Sequence, residues 1–250
     1  MASQLVCRPE QDLPVAVLTV SGTLDRVTGG ALGAAVRRSL SAQPLRVLLD
    51  CTRLRVADPL GLTVLADVVC QAQEFPAAPI VVCGADPRTR EALAAAPGCA
   101  GLHLAGDCAE TLARARAEAA EQNPTADVRV RLRPVPEACR QVRHLVAQTC
   151  TAWHRADITA TTALVATELV ANVVRHAHTT MDFTLRLRNG RMIMAVRDHS
   201  RRMPRTLDPD VTDAGGRGLR LVRDLTDAWG VLPVPDGKVV WTQLAAGAAV

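Results

Sequence analysis

Aromatic side chains are almost missing from this chain: Phe, Trp and Tyr together make up 2% of its 250 residues, and there is no Tyr. Leu, Val and Ala must therefore fill its cores, and the stacking platforms that hold single-stranded nucleic acids are lacking. The net charge is only +4, with basic residues spread along the chain, so there is no electrostatic footprint for nucleic acid either. Lysine is nearly absent: 29 residues are Lys or Arg, and Lys238 is the single lysine. It follows Asp236-Gly237 late in the chain without a surrounding GxxxxGK[ST], which excludes a P-loop and a kinase lysine on an early strand. No CxxC spacing occurs among Cys7, Cys51, Cys70, Cys83, Cys99, Cys108, Cys139 and Cys150. Most lie in apolar runs such as Val81-Val-Cys83, and buried free thiols in a reducing compartment are expected. Residues Met1 to Glu10 lack an apolar signal-like region. No uninterrupted apolar run approaches the roughly 18 residues that span a bilayer. A cytoplasmic protein with no membrane partner is expected.

What is present is ample apolar material, 48% of the residues, enough for two domains of ordinary size. Val15–Val20, Leu45–Asp50, Pro79–Cys83 and Leu102–Leu104 read as short strands, and continuous apolar runs of this kind suit strands buried on both faces. Between them lie helical patterns: Thr28–Leu40, with Leu32, Val36 and Leu40 on one face, a helix from Pro59 to about Gln73, and Asp86 to about Ala96. Asp107–Ala119 follows the last strand. Asp58-Pro59 and Asp86-Pro87 pair an N-cap with a proline in the first turn. Alternating strands and helices predict an α/β domain over residues 1–120. The polar, proline-interrupted stretch 121–127 reads as a linker. Residues 128–250 change pattern: an alternating strand at Val128–Leu132, helices over Glu137–His154 and Asp157–His178, and strands at Phe183–Leu187 and Met192–Arg197. A polar irregular stretch, Arg201–Ala214, precedes a helix over Gly218–Trp229 and a closing strand at Val239–Leu244. This order predicts an α+β two-layer sandwich.

The chemistry concentrates in the second half. On a helical wheel Glu168, Asn172, Arg175 and His176 share about a third of the circumference, beside an apolar arc of Val165, Leu169, Val170, Val173 and Ala177. A plain amphipathic helix would give the same stripe. Asn, however, is a poor mid-helix residue because its amide competes for backbone hydrogen bonds. An amide oxygen is a competent Mg²⁺ ligand, and a glutamate one turn away can act as a base toward a hydroxyl. Asp198 closes a strand, where a simple turn residue would also serve. Gly215, Gly216 and Gly218 precede a helix start, where backbone N–H groups can meet a phosphate. A carboxylate base, a metal-binding amide, a strand-end aspartate and a glycine turn together point to a nucleotide site.

These blocks, ELVANVVRHAH, VRDHSRRMP, GGRGL, DAWG and GKVVWTQL, in this order resemble the GHKL ATPase superfamily and, more narrowly, the bacterial anti-sigma-factor serine kinases. The resemblance covers roughly residues 126–246. It implies ATP and Mg²⁺ as cofactors, Glu168 as general base and Asn172 as Mg²⁺ ligand. It further implies Asp198 as acceptor from the adenine amino group, Gly216 and Gly218 along the phosphates with Arg217 beside them, and Arg201–Ala214 as a lid. The chain departs from the family after Asp198: the pattern Asp-x-Gly-x-Gly is replaced by Asp198-His-Ser200-Arg-Arg. The preference for Arg over Lys, with abundant Ala, agrees with a GC-rich bacterial genome.

In the first half, the block from Val17 to Asp25, then Leu48-Leu-Asp50, then Asp58-Pro59-Leu60-Gly61-Leu62 resemble a STAS domain, the fold of anti-sigma-factor antagonists, over about residues 4–118. In that family a serine that accepts phosphate follows the aspartate. Here Pro59 stands there, so the resemblance implies a binding module without its phosphorylation switch, and Thr63 lies a turn away. Three readings stay open: a serine/threonine kinase acting on a separate STAS antagonist and so controlling a sigma factor, a non-catalytic regulator, or a STAS half that docks on its own ATPase half. The implied partners are a STAS antagonist, a sigma factor or, as is common for such kinases, a second copy in a homodimer. A histidine kinase fits less well, because the first half offers His103 as its only histidine and no dimerisation hairpin.

Overall fold

The alternating strands and helices of the first half assemble into one sheet, flanked by helices. In the computed structural model, which describes residues 4–12, 14–74, 79–96, 99, 102–121, 127–203 and 217–246, the chain divides into two units, Met1–Pro124 and Thr125–Val250. The first unit runs β1 (Leu5–Asp12), β2 (Val15–Leu24), α1 (Gly29–Ser41), β3 (Arg46–Val56), α2 (Thr63–Glu74), β4 (Ile80–Cys83), α3 (Pro87–Ala95), β5 (His103–Leu104) and α4 (Cys108–Glu121). Its strands lie in sequence order; β1 is antiparallel to β2 and the other neighbours are parallel. Val47, Leu48 and Leu49 in β3 and the whole of β4 are buried, as strands covered on both faces require. Leu32, Val36 and Leu40 form the buried face of α1, while Val17, Leu48 and Val81 pack against Leu112 of α4.

Proline at position 59 leaves the local fold intact. Asp58 is extended and accepts from Leu60 N at 2.9 Å, and Pro59 opens a single 3-10 turn, Pro59–Leu62, that leads into α2. Asp86 does the same for α3, accepting from the backbone of Arg88 and Thr89. The expectation of free cysteines needs correction for one pair. Cys83, at the end of β4, is disulfide-bonded to Cys108, the first residue of α4. The two lie far apart in sequence, and only the packing of α4 beside β4 makes them neighbours. Among the described residues Cys7, Cys51, Cys139 and Cys150 are free thiols; burial, with Asp50 beside it, pushes the Cys51 thiol up to about 12.

The second unit runs β6 (Asp127–Leu132), α5 (Glu137–Ala152), α6 (Thr159–Asn172), β7 (Met181–Arg188), β8 (Arg191–Asp198), α7 (Arg217–Leu225), β9 (Ala228–Val234) and β10 (Gly237–Ala245). The sheet order is β6-β7-β8-β10-β9, antiparallel throughout. Helices α5 and α6 cover one face: Val142, Val146, Val165, Leu169 and Val170 pack with Phe183, Leu185, Met192, Met194, Val196 and Val240. Two elements differ from the sequence reading. The helix expected over Gly218–Trp229 stops at Leu225, and Ala228–Val234 is an edge strand paired with β10. Asp227 closes this junction, its backbone N–H donating to Gln243 O and its carboxylate accepting from Ala245 N. Strand β1 is the other element that the pattern did not mark.

One helical stretch, Ala156–Ala177, is long and apolar enough by length and composition to cross a bilayer, although no uninterrupted apolar run marked it. Its Val165, Leu169, Val170 and Val173 are part of the core of the second unit. Glu168, Asn172 and Arg175 interrupt it.

Candidate nucleotide site

Helix α6 places its polar stripe beside the first turn of α7. A Cβ on Gly218 would lie 2.5 Å from Glu168 Oε2 and 3.8 Å from Asn172 Oδ1, so three residues singled out in the sequence meet at one point, and a side chain at 218 would crowd it. Glu168 and Asn172 are half-buried. Arg175 donates through Nη2 to Glu168 Oε2 at 3.3 Å and through Nε to Ala171 O, which fixes the direction in which the carboxylate points. After Asn172 the helix widens into a π turn, Val173–Ala177, and ends at His178 with φ 55°. Such widening is frequent at functional positions of helices. Cys139 on α5 faces the same region: burial pushes its thiol up, while Arg175 and Arg143 pull the other way.

Asp198 sits elsewhere on the same sheet face. In the β8–β10 register it lies directly opposite Lys238. The two continue the rows Met192-Met194-Val196 and Val240-Leu244 that the helices cover. Their side chains are 1% and 8% exposed. Lys238 Nζ donates to Asp198 Oδ1 at 2.9 Å and to Ser200 O at 3.1 Å, and Ser200 N donates to the same Oδ1 at 2.8 Å. Asp198 Oδ2 is buried with no hydrogen-bond partner among the described residues. Gly237 makes the close approach possible: its φ is +154°, and a Cβ there would lie 2.0 Å from Asp198 O.

The predicted residues thus form two groups, Glu168–Asn172–Gly218 and Asp198 with its new partner Lys238. Gly216 and most of the expected lid, Arg201–Ala214, lie outside the described residues. So does the side chain of Arg217, although its backbone begins α7. The sequence reading missed the roles of Lys238 and Arg175. Lys238 carried a signal: the only lysine in the chain directly precedes the apolar run Val239-Val-Trp241, where an unpaired charge would be costly.

The site fits a Mg²⁺-bound nucleoside phosphate. The orphaned Asp198 Oδ2 asks for a donor such as an exocyclic amine. Asn172 supplies an amide oxygen suited to a hard cation that keeps few protein ligands. The first turn of α7 has no side chain at Gly218 and presents backbone N–H groups of the kind that bind phosphate oxygens at a helix N-terminus.

Residues 132–244 match the family model described as a histidine kinase-like ATPase domain. No curated protein matches the chain. Among solved structures, the anti-sigma factor antagonist SpoIIAA in its unphosphorylated form is 15% identical with a TM-score of 0.37, and the match covers 45% of this chain and 97% of that one. An anti-sigma factor antagonist from Mycobacterium paratuberculosis is 22% identical with a TM-score of 0.38, covering 45% and 95%. The histidine kinase domain of the blue-light-activated kinase from Erythrobacter litoralis EL346 is 17% identical with a TM-score of 0.32, covering 43% and 62%. The match to a histidine kinase-like ATPase domain thus lies within the C-terminal unit, and the N-terminal unit is an α/β domain whose five strands lie in sequence order.

Proposed function

We propose that the chain is a cytoplasmic bacterial regulator of the anti-sigma type. Its C-terminal domain binds Mg²⁺·ATP and phosphorylates a serine or threonine of a separate STAS antagonist. Its N-terminal unit is a binding module that takes no phosphate at Pro59. The observation that carries this reading is the meeting of Glu168, Asn172 and Gly218 at one point.

Bound Mg²⁺·ATP supplies an electrophilic γ-phosphoryl group, and most of the catalysis of its transfer is positioning and charge stabilisation. Glu168 receives the proton of the acceptor hydroxyl on its carboxylate, which Arg175 holds in place. Asn172 Oδ1 would hold the cation, and the backbone at the start of α7 would hold phosphate oxygens. Asp198 Oδ2 would accept from the amine of the base. The N-terminal unit keeps the face where antagonists carry their serine: Asp58 caps the turn, Leu60 is half-exposed, and Arg26 pairs with Asp58 at 3.1 Å.

The test is label transfer from γ-labelled ATP, mediated by the full chain, to STAS proteins that keep serine after the aspartate. Transfer is expected, with a fall of about a hundredfold or more in Glu168→Ala while ATP is still bound. Equal labelling by the variant would contradict the role of Glu168. A second reading, a non-catalytic regulator, is favoured by the ion pair that Lys238 makes with Asp198 and by the missing glycines after Asp198. It predicts no label transfer by either protein and unchanged partner binding in the variant.

A further inference from the structure

We propose that Lys238 is a specificity-determining residue of the nucleotide site: with Asp198 it forms an acceptor–donor pair that selects a base whose exocyclic amine lies beside an unprotonated ring nitrogen. The inference rests on the reading of the C-terminal domain as nucleotide-binding.

An ammonium has three N–H donors and a carboxylate has two acceptor oxygens. Lys238 Nζ uses two of its donors, on Asp198 Oδ1 and Ser200 O. Asp198 Oδ1 is doubly occupied, by Lys238 and Ser200 N, and Oδ2 is buried without a partner among the described residues. Among the described residues one acceptor and one donor are thus left, on cross-strand neighbours of β8 and β10. Both are fixed: the pair is buried, and Gly237 brings the β10 backbone against Asp198 O.

Buried polar groups of this kind discriminate strongly, because a ligand that fails to match leaves them unpaired. On their Watson–Crick edges adenine and cytosine offer an amine donor next to a ring nitrogen acceptor, which satisfies Oδ2 and Nζ together. Guanine, hypoxanthine and uracil reverse the order, setting a carbonyl against the carboxylate and an N–H against the ammonium. Lysine therefore does more than neutralise Asp198: it adds a second point of readout, in a chain that lacks the glycines expected after that aspartate.

The experiment is calorimetric titration of the full chain, with Mg²⁺, using ATP, 1-deaza-ATP (in which a C–H replaces the ring nitrogen N1) and ITP. The expected result is at least roughly tenfold weaker binding of both analogues than of ATP. The preference over 1-deaza-ATP should disappear in Lys238→Met. Because that change leaves Asp198 buried without its cation, the double variant Asp198→Asn, Lys238→Met is measured beside it, and the 1-deaza preference should be lost there too. Equal binding of ATP and 1-deaza-ATP by the unaltered chain would overturn the proposal alone, as would a preference that survives in the folded variants. Failure to bind any of the three nucleotides would overturn the nucleotide reading and this proposal with it.

Discussion

Gly218 marks where stability and function part company. It lies in the first turn of α7 with the Glu168 carboxylate against it. Alanine there favours the helix by up to about 1 kcal/mol, yet its methyl group would push Glu168 away from Arg175. Gly218→Ala is therefore expected to melt no lower than the unaltered chain while binding Mg²⁺·ATP several-fold more weakly, by thermal melting and calorimetry on the same sample. A variant that binds as before would remove Gly218 from the site. At this scale the sequence spoke clearly where a residue type was unusual for its place. Asn172 inside a helix and glycines at a helix start were legible because propensity argues against them. The pairing of Lys238 with Asp198 was not, since it depends on strand register between distant segments. The Cys83–Cys108 bond was hidden for the same reason.

Elements were legible in proportion to their burial. Strands β3 and β4 are apolar because both faces are covered, and α1 shows its face because only one side meets the core. The two strands that escaped the pattern, β1 and β9, both lie at sheet edges, and each contains a proline, Pro9 and Pro233. An edge strand makes ladder hydrogen bonds on one side only, so it tolerates proline and polar residues that would argue against a central strand.

Capping gives this scale its pH dependence. The Asp86 carboxyl is held below its usual range by hydrogen bonds from the Thr89 backbone and hydroxyl and from the Arg88 backbone. A carboxyl whose folded value is depressed contributes stability above its unfolded value near 3.8, and that contribution fades as pH falls through the folded value. Asp86→Ala should therefore lower the melting temperature modestly at pH 7, and by progressively less as the pH falls below 3.8. A gap that widened on acidification would contradict the cap.

At the scale of the whole molecule, each unit was foreseen from its rhythm, strand–helix alternation in one and paired helices followed by strands in the other. The core of the second unit joins α5 and α6 to the sheet through Phe183, fully buried in β7. Phe183→Ala should cost about 3–5 kcal/mol and, by loosening the floor beneath α6, weaken nucleotide binding as well. Denaturant unfolding followed by circular dichroism measures the first effect. No loss of stability would mean that α6 is held by something other than this sheet.

The central claim is that a nucleotide with its metal is held where α6 meets α7. Its most direct test is titration of Mg²⁺·ATP into the full chain and into Asn172→Ala, by calorimetry, with and without Mg²⁺. Saturable binding that depends on Mg²⁺ in the unaltered chain and is lost or much weakened in the variant is the predicted result. No binding at millimolar ATP, or equal Mg²⁺-dependent binding by both proteins, would contradict it.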